Sequence, residues 1–272
     1  MTTVSLWCSA LDEPWHWRWI AYPGVWLSAL VPIVTYLVSI RRHKDRVTDR
    51  RTIVTFLSAM TVFWMASDWP IGTLGAGYLA WVHMFQYILY VLVVAPLVLR
   101  GTPEWMARSI LARLHIEAVV GRLSHSLLLS GIIFNVILVT THSPIAVDTL
   151  RASQLGSFSM DLLWMLSGLI LWMPILSPVP EHRVVSPPAK MVYLFVSAGI
   201  VSIVPASFLT FARFPLYSTY ELAPRIGTMS ALEDQQLAGI TMKLGMIPIV
   251  WGTLAVMFFR WVAHETPKNP VR

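Results

Sequence analysis

Two histidines, a methionine and a set of carboxylate and carboxamide side chains recur at the ends of apolar stretches in this chain. His83, Gln86 and Tyr87 fall at i, i+3 and i+4, which places them on one face of a helix. His142 closes another apolar stretch ahead of Ser143-Pro144, Met160 and Asp161 open the next, and Tyr217 and Tyr220 follow a further one. Asp234, Gln235 and Gln236 precede the last stretch, and Lys243 lies inside it. An ionisable group at that depth costs roughly 2.5–3.5 kcal/mol on insertion scales and needs a partner or a water-filled cavity, so Asp161 or Asp234 is the expected counter-ion.

Imidazole and thioether ligands together suit copper, whereas a hard cation would need several carboxylates. A single histidine in a helix bundle is more often a hydrogen-bonded packing residue, so the case for a metal rests on the convergence of His83 and His142 with Met160 rather than on any one of them. His43, His115, His125, His182 and His264 fall in loops, in the tail or at the opposite ends of their spans and read as solvated or structural. Asp161, Glu221, Glu233 and Asp234 have no nucleophile with a fixed base beside them, and the chain carries no Gly-rich phosphate loop and no serine elbow. The reading is of a protein that is not an enzyme. With one cysteine, Cys8, there is neither an internal disulfide nor a cysteine pair at zinc spacing.

The elements that must position these groups are membrane helices. Of the 272 residues 56% are hydrophobic and 12% charged, and the mean hydropathy is +0.63, values of an integral membrane protein. The formal net charge of +6 invites a nucleic-acid reading, but Lys and Arg are confined to short loops between apolar runs and form no basic face. Tryptophans at the boundaries, as in Trp15-His16-Trp17-Arg18-Trp19, read as interface anchors. The first long apolar run has no small-residue cleavage site behind it and is expected to be retained.

Seven stretches are long enough to cross about 30 Å of hydrocarbon: residues 22–40, 52–67, 78–99, 123–141, 160–176, 191–212 and 237–259. Thr102-Pro103-Glu104 reads as the N-cap and first turn of a short interfacial helix over 102–122. Loop 41–51 carries six Lys or Arg, segment 100–122 four, loop 177–190 two and the tail from Arg260 three, against four in the alternate segments. The positive-inside bias therefore predicts an all-α, polytopic bundle of about seven transmembrane helices, the N-terminus outside and the C-terminus cytoplasmic, the whole of residues 1–272 forming one membrane domain. In that orientation the polar residues gather on the outer face.

At these residues the chain resembles a known family. His83-Met84-Phe85-Gln86-Tyr87-Ile88-Leu89, followed by Ala95-Pro96-Leu97 and Arg100-Gly101-Thr102-Pro103, is similar to a signature of the CtaG family, membrane assembly factors of cytochrome c oxidase. Thr141-His142-Ser143-Pro144, the run Gly168–Leu176, Pro215-Leu216-Tyr217-Ser218-Thr219-Tyr220 and Asp234-Gln235-Gln236-Leu237-Ala238-Gly239 resemble further motifs of that family, in the same order. Tyr87 stands where the family usually has a second histidine, Ser159-Met160-Asp161 where it usually shows histidines, and Lys243 where an aromatic is common.

The resemblance implies transient copper binding, with His83, His142, Met84 and Met160 as candidate ligands and Gln86, Tyr87, Asp161, Asp234, Gln235 and Lys243 in support. It also implies cytochrome c oxidase subunits and membrane lipid as partners, no nucleic acid, and a multi-pass location in a bacterial inner (plasma) membrane. The alternative is a non-catalytic structural subunit or scaffold of a respiratory membrane complex with a degenerate metal site, in which Lys243 pairs with Asp161 or Asp234.

Overall fold

The computed structural model describes residues 5–11 and 13–265, and every regular element among them is helical. Lys268 and Arg272, counted above with the basic tail, lie outside the described residues. Among the described residues five helices are long and apolar enough to cross a membrane: α1 (Pro23–Arg42), α4 (Ala80–Gly101), α9 (Gln154–Leu176), α10 (Pro187–Phe211) and α12 (Ala231–Glu265). A sixth span results if α6 (Glu117–His125) and α7 (Leu127–Thr141), which meet at a bend of 101°, are taken together. The seventh expected stretch is α2 (Arg50–Ser67), whose leading arginines dilute its apolar character. Short helices complete the chain: α3 (Ile71–Gly77), α5 (Glu104–Leu114), α8 (Pro144–Arg151) and α11 (Ser218–Glu221).

Serine caps decide where several helices start. Leu129 N–H donates to Ser126 Oγ at 3.2 Å, Ala146 N–H to Ser143 Oγ at 3.3 Å and Gly156 N–H to Ser153 Oγ at 3.0 Å, each satisfying a donor that a helix start leaves open. Ser230 and Glu233 form a reciprocal capping box at the head of α12, with Ser230 N–H to Glu233 Oε2 at 2.8 Å and Glu233 N–H to Ser230 Oγ at 3.2 Å.

Two of these caps, and the end of α4, correct expected boundaries. The fourth stretch starts at Leu127 rather than residue 123, because Ser126 ends one helix and caps the next. The fifth starts at Gln154, so Met160 and Asp161 lie inside α9 instead of opening it. Thr102 is not an N-cap: its hydroxyl donates to Val98 O at 2.8 Å at the end of α4, and Pro103 takes the cap position of α5. The segment expected as one helix over 102–122 breaks at His115, where φ is +54°, into α5 and α6.

The core is built where α4, α9 and α12 meet, around Tyr87, Val91, Trp164, Leu171, Met242 and other buried residues. Gly168 of α9 lets that helix close on α4, since a Cβ there would stand 2.9 Å from Val91 Cα and 2.8 Å from Ala95 Cβ. Small residues at such crossings let backbones approach within a membrane, where packing rather than water exclusion drives helix association. A π-helical turn over Leu89–Val94 runs into Pro96, which has no N–H to offer the preceding turn. Trp172 Nε1 supplies the missing donor, to Val91 O at 2.9 Å.

The N-terminal segment lies across the pole of the bundle where α4 and α9 begin. Ala10 N–H donates to Arg151 O at 2.9 Å, Leu6 N–H to Gln154 Oε1 at 2.7 Å and Gly24 N–H to Leu6 O at 3.0 Å. Trp7 and Cys8 are buried beneath it.

Candidate functional site

His83 and His142 come together at this pole, their ring centroids 6.2 Å apart and both imidazoles buried. His83 lies in the first turn of α4, which is anchored from another helix. Asp234 of α12 accepts from Ala80 N–H at 2.8 Å and from Trp81 N–H at 3.1 Å, placing a carboxylate on the exposed donors of the α4 N-terminus. His142 ends α7 directly before the Ser143 cap of α8. Trp164 of α9 packs against both rings, at 4.7 Å from His83 and 5.8 Å from His142, and its indole N–H donates to Thr141 Oγ1 at 3.1 Å. Tyr87 reaches His142 at 4.6 Å between ring centroids.

The hydrogen bonds fix the ring proton of His142 and give His83 Nδ1 two competing neighbours. His142 Nδ1 is 2.8 Å from Leu138 O, and a carbonyl only accepts, so Nδ1 bears the hydrogen and Nε2 keeps its lone pair. Tyr220 O–H lies 2.6 Å from Gly75 O and 2.8 Å from His83 Nδ1. Its one proton goes to the carbonyl, so a hydrogen on His83 Nδ1 would donate to the phenolic oxygen and leave His83 Nε2 with a lone pair. Arg151 Nε approaches His83 Nδ1 at 3.3 Å, and donation from that guanidinium favours the other tautomer, with the proton on Nε2. The buried atoms His83 Nε2, His142 Nε2, Tyr87 Oη and Gln86 Oε1 have no hydrogen-bond partner among the described residues. Gln86 is held through its other amide atom, Nε2 donating to Ala66 O at 2.7 Å.

An ion pair sits beside His83. Arg151 Nη2 donates to Asp161 Oδ1 at 3.0 Å, and Trp7 Nε1 to Asp161 Oδ2 at 2.8 Å. The pair is almost wholly enclosed, so the guanidinium next to the imidazole is neutralised at close range rather than by solvent.

This corrects the expected role of Lys243. Asp161 pairs with Arg151, Asp234 caps α4, and Lys243 Nζ stands 4.6 Å from the Phe211 ring centroid in a cation–π contact. Gln235 ties the turn that carries the two tyrosines: its Oε1 accepts from Leu216 N–H at 2.5 Å, while Nε2 donates to Phe214 O at 3.3 Å and Leu209 O at 3.4 Å. Tyr217 O–H donates to His142 O at 2.9 Å, so that turn grips both histidines.

Met84 and Met160 are fully buried in the same core. Met160 precedes Trp164 by four residues and shares its face of α9, the face toward the imidazoles, whereas Met84 is turned about 100° from His83 around α4. No group of three His, Cys, Asp or Glu side chains gathers among the described residues, so no third such side chain joins the two imidazoles.

Arg151 and Trp7 were not singled out from the sequence. The available signal for Arg151 was its place four residues after Val147 on a helix opened by Ser143-Pro144, which puts both on one face, and both are buried. Trp7 precedes the first apolar run and carries no periodic signal.

A bundle of apolar helices that buries two imidazoles, each with a free nitrogen, among strapped tyrosines belongs to the class of multi-span membrane proteins with a polar site near one pole. A family model described as cytochrome c oxidase caa3 assembly factor (Caa3_CtaG) matches residues 34–264, and the chain belongs to that family. No curated protein and no solved structure matches it.

Proposed function

We propose that this protein is a non-enzymatic assembly factor that carries copper in passing and hands it to a subunit of a caa3-type cytochrome c oxidase. The observation that carries the reading is the pair of buried imidazoles whose Nε2 atoms are without partners. His142 has its Nδ1 proton directed to Leu138 O, the arrangement that orients a metal-binding histidine, and His83 Nδ1 is held 2.8 Å from the Tyr220 hydroxyl. With metal–nitrogen bonds of about 2 Å, a 6.2 Å separation of ring centroids lies within reach of one ion shared by both rings. The thioether of Met160 suits the soft character of Cu(I). Two nitrogen donors without a third make a weak, exchangeable site, as cargo requires. Asp161 offsets the Arg151 charge that would otherwise repel the ion.

The test is a His83→Ala, His142→Ala double variant. The protein should stay abundant while its copper affinity falls roughly tenfold or more, oxidase activity drops under copper limitation, and added copper restores part of it. Normal oxidase activity in a well-expressed double variant under copper limitation would remove the copper reading. The second reading would then stand, a structural scaffold of a respiratory complex; the enclosed Arg151–Asp161 pair favours it, since it fixes helix packing without any metal.

The proposal includes the membrane arrangement. The seven spans are α1, α2, α4, α7, α9, α10 and α12, crossing a bacterial plasma membrane with the imidazole pole outside and the C-terminus in the cytoplasm. Val47, 95% exposed in the basic loop, reports the orientation, and the native Cys8 is buried and gives little background. Val47→Cys should stay unlabelled by an impermeant maleimide in intact cells and react after permeabilisation. Labelling in intact cells would reverse the orientation and move the site to the cytoplasmic side.

A further inference from the structure

At the pole opposite the imidazoles, two adjoining cavities of about 610 and 580 Å³ share Arg100, Arg260, Ile175 and Leu176 in their walls. Arg51 joins the first and Arg183 the second, so four guanidinium groups rim one continuous recess. Among the described residues the only carboxylate on either wall is Glu104, and it is engaged by Arg108, Nε to Oε1 at 2.9 Å. Arg183 donates to Ser177 O at 2.6 Å, while Arg51, Arg100 and Arg260 have no carboxylate within salt-bridge distance among the described residues.

Below this rim the wall is apolar, formed by Leu92, Trp172, Pro248, Ile249 and Met257. Gly252 of α12 also lines it, and a Cβ built there meets nothing within 4 Å. The recess therefore has a cationic mouth and a hydrocarbon floor between helices of the bundle.

We propose that this recess binds an anionic phospholipid, with the phosphate between Arg100 and Arg260 and an acyl chain along Trp172 and Gly252. Charge complementarity selects the occupant: three uncompensated guanidinium groups want an anion, and guanidinium recognises phosphate through paired N–H donors. The apolar floor selects a lipid over a free ion, because an inorganic phosphate would leave that surface bare. Basic recesses between membrane helices at the interface serve such headgroups.

The full-length protein in phosphatidylcholine nanodiscs, titrated with phosphatidylglycerol and followed by native mass spectrometry and thermal unfolding, tests this. Phosphatidylglycerol should bind in preference and raise the unfolding temperature. An Arg100→Gln, Arg260→Gln variant should lose about tenfold or more in that affinity, from roughly 1 kcal/mol for each basic residue near the headgroups. Gly252→Leu, whose side chain enters open space and so leaves the fold intact, should also weaken binding by filling the floor. Arg41→Gln, Arg42→Gln, the same charge change outside the recess, should leave binding unaltered. Any of three results overturns the proposal: equal binding of phosphatidylcholine, undiminished binding by both recess variants, or an equal loss in the Arg41, Arg42 control. Protection by glycerol 3-phosphate as complete as by the lipid would reduce the site to an anion site and overturn the lipid assignment.

Discussion

Arg151→Met or Asp161→Asn, made singly, should each cost roughly 3–5 kcal/mol of stability, because each leaves the opposite charge enclosed without its partner. The double variant should be milder than either single one: no net charge stays buried, and Trp7 Nε1, now 2.8 Å from Asp161 Oδ2, can still donate to an asparagine oxygen. Thermal unfolding in detergent and steady-state abundance of the four proteins form a double-mutant cycle that isolates the coupling. Single variants as stable as the parent would mean that water reaches the pair and that His83 is not shielded as described.

Trp164→Ala should be comparably severe, roughly 3–5 kcal/mol as for other large aromatic truncations in packed interiors. The indole is fully buried, contacts the rings of His83, His142, Tyr87 and Tyr90, and lies 5.1 Å under the Arg151 guanidinium. Removing it takes away both a packing surface and a cation–π partner. Trp164→Phe keeps an aromatic face but drops the N–H bond to Thr141 Oγ1, and its loss should fall between parent and Ala. An Ala variant with an unchanged unfolding temperature would show that the imidazoles are positioned by their hydrogen bonds alone.

The helical fold and the meeting of His83 with His142 were legible because an apolar run of sufficient length has few other uses, and because the expected alternation of spans brings both histidines to one depth. Helix starts were less legible. The first turns of α9 contain Gln154, Ser157 and Ser159, so hydropathy placed its beginning at Met160, whereas Ser153 caps it earlier. The counter-ion was misassigned because sequence makes the lysine inside a span conspicuous. Arg151 belongs to a short helix at the imidazole pole, and its surroundings come from far along the chain: Ala10 N–H reaches its carbonyl and Trp7 its partner Asp161. The roles of Asp234 and Gln235 were hidden for a related reason: both satisfy main-chain groups of other segments, which leaves no trace in local spacing.

The bond from Ala80 N–H to Asp234 spans 154 residues, and so does the bond from Trp7 to Asp161. A ribosome adding about 5–20 residues each second needs roughly 8–30 s to cover such a distance. For that interval after α4 emerges, its leading amides have no carboxylate to receive them, and His83 is not yet enclosed by the Tyr217–Tyr220 turn. The pole is therefore completed last during biosynthesis, when α12 arrives. A nascent chain stalled before residue 234 would hold its earlier helices with that end open, its α4 amides uncapped by Asp234.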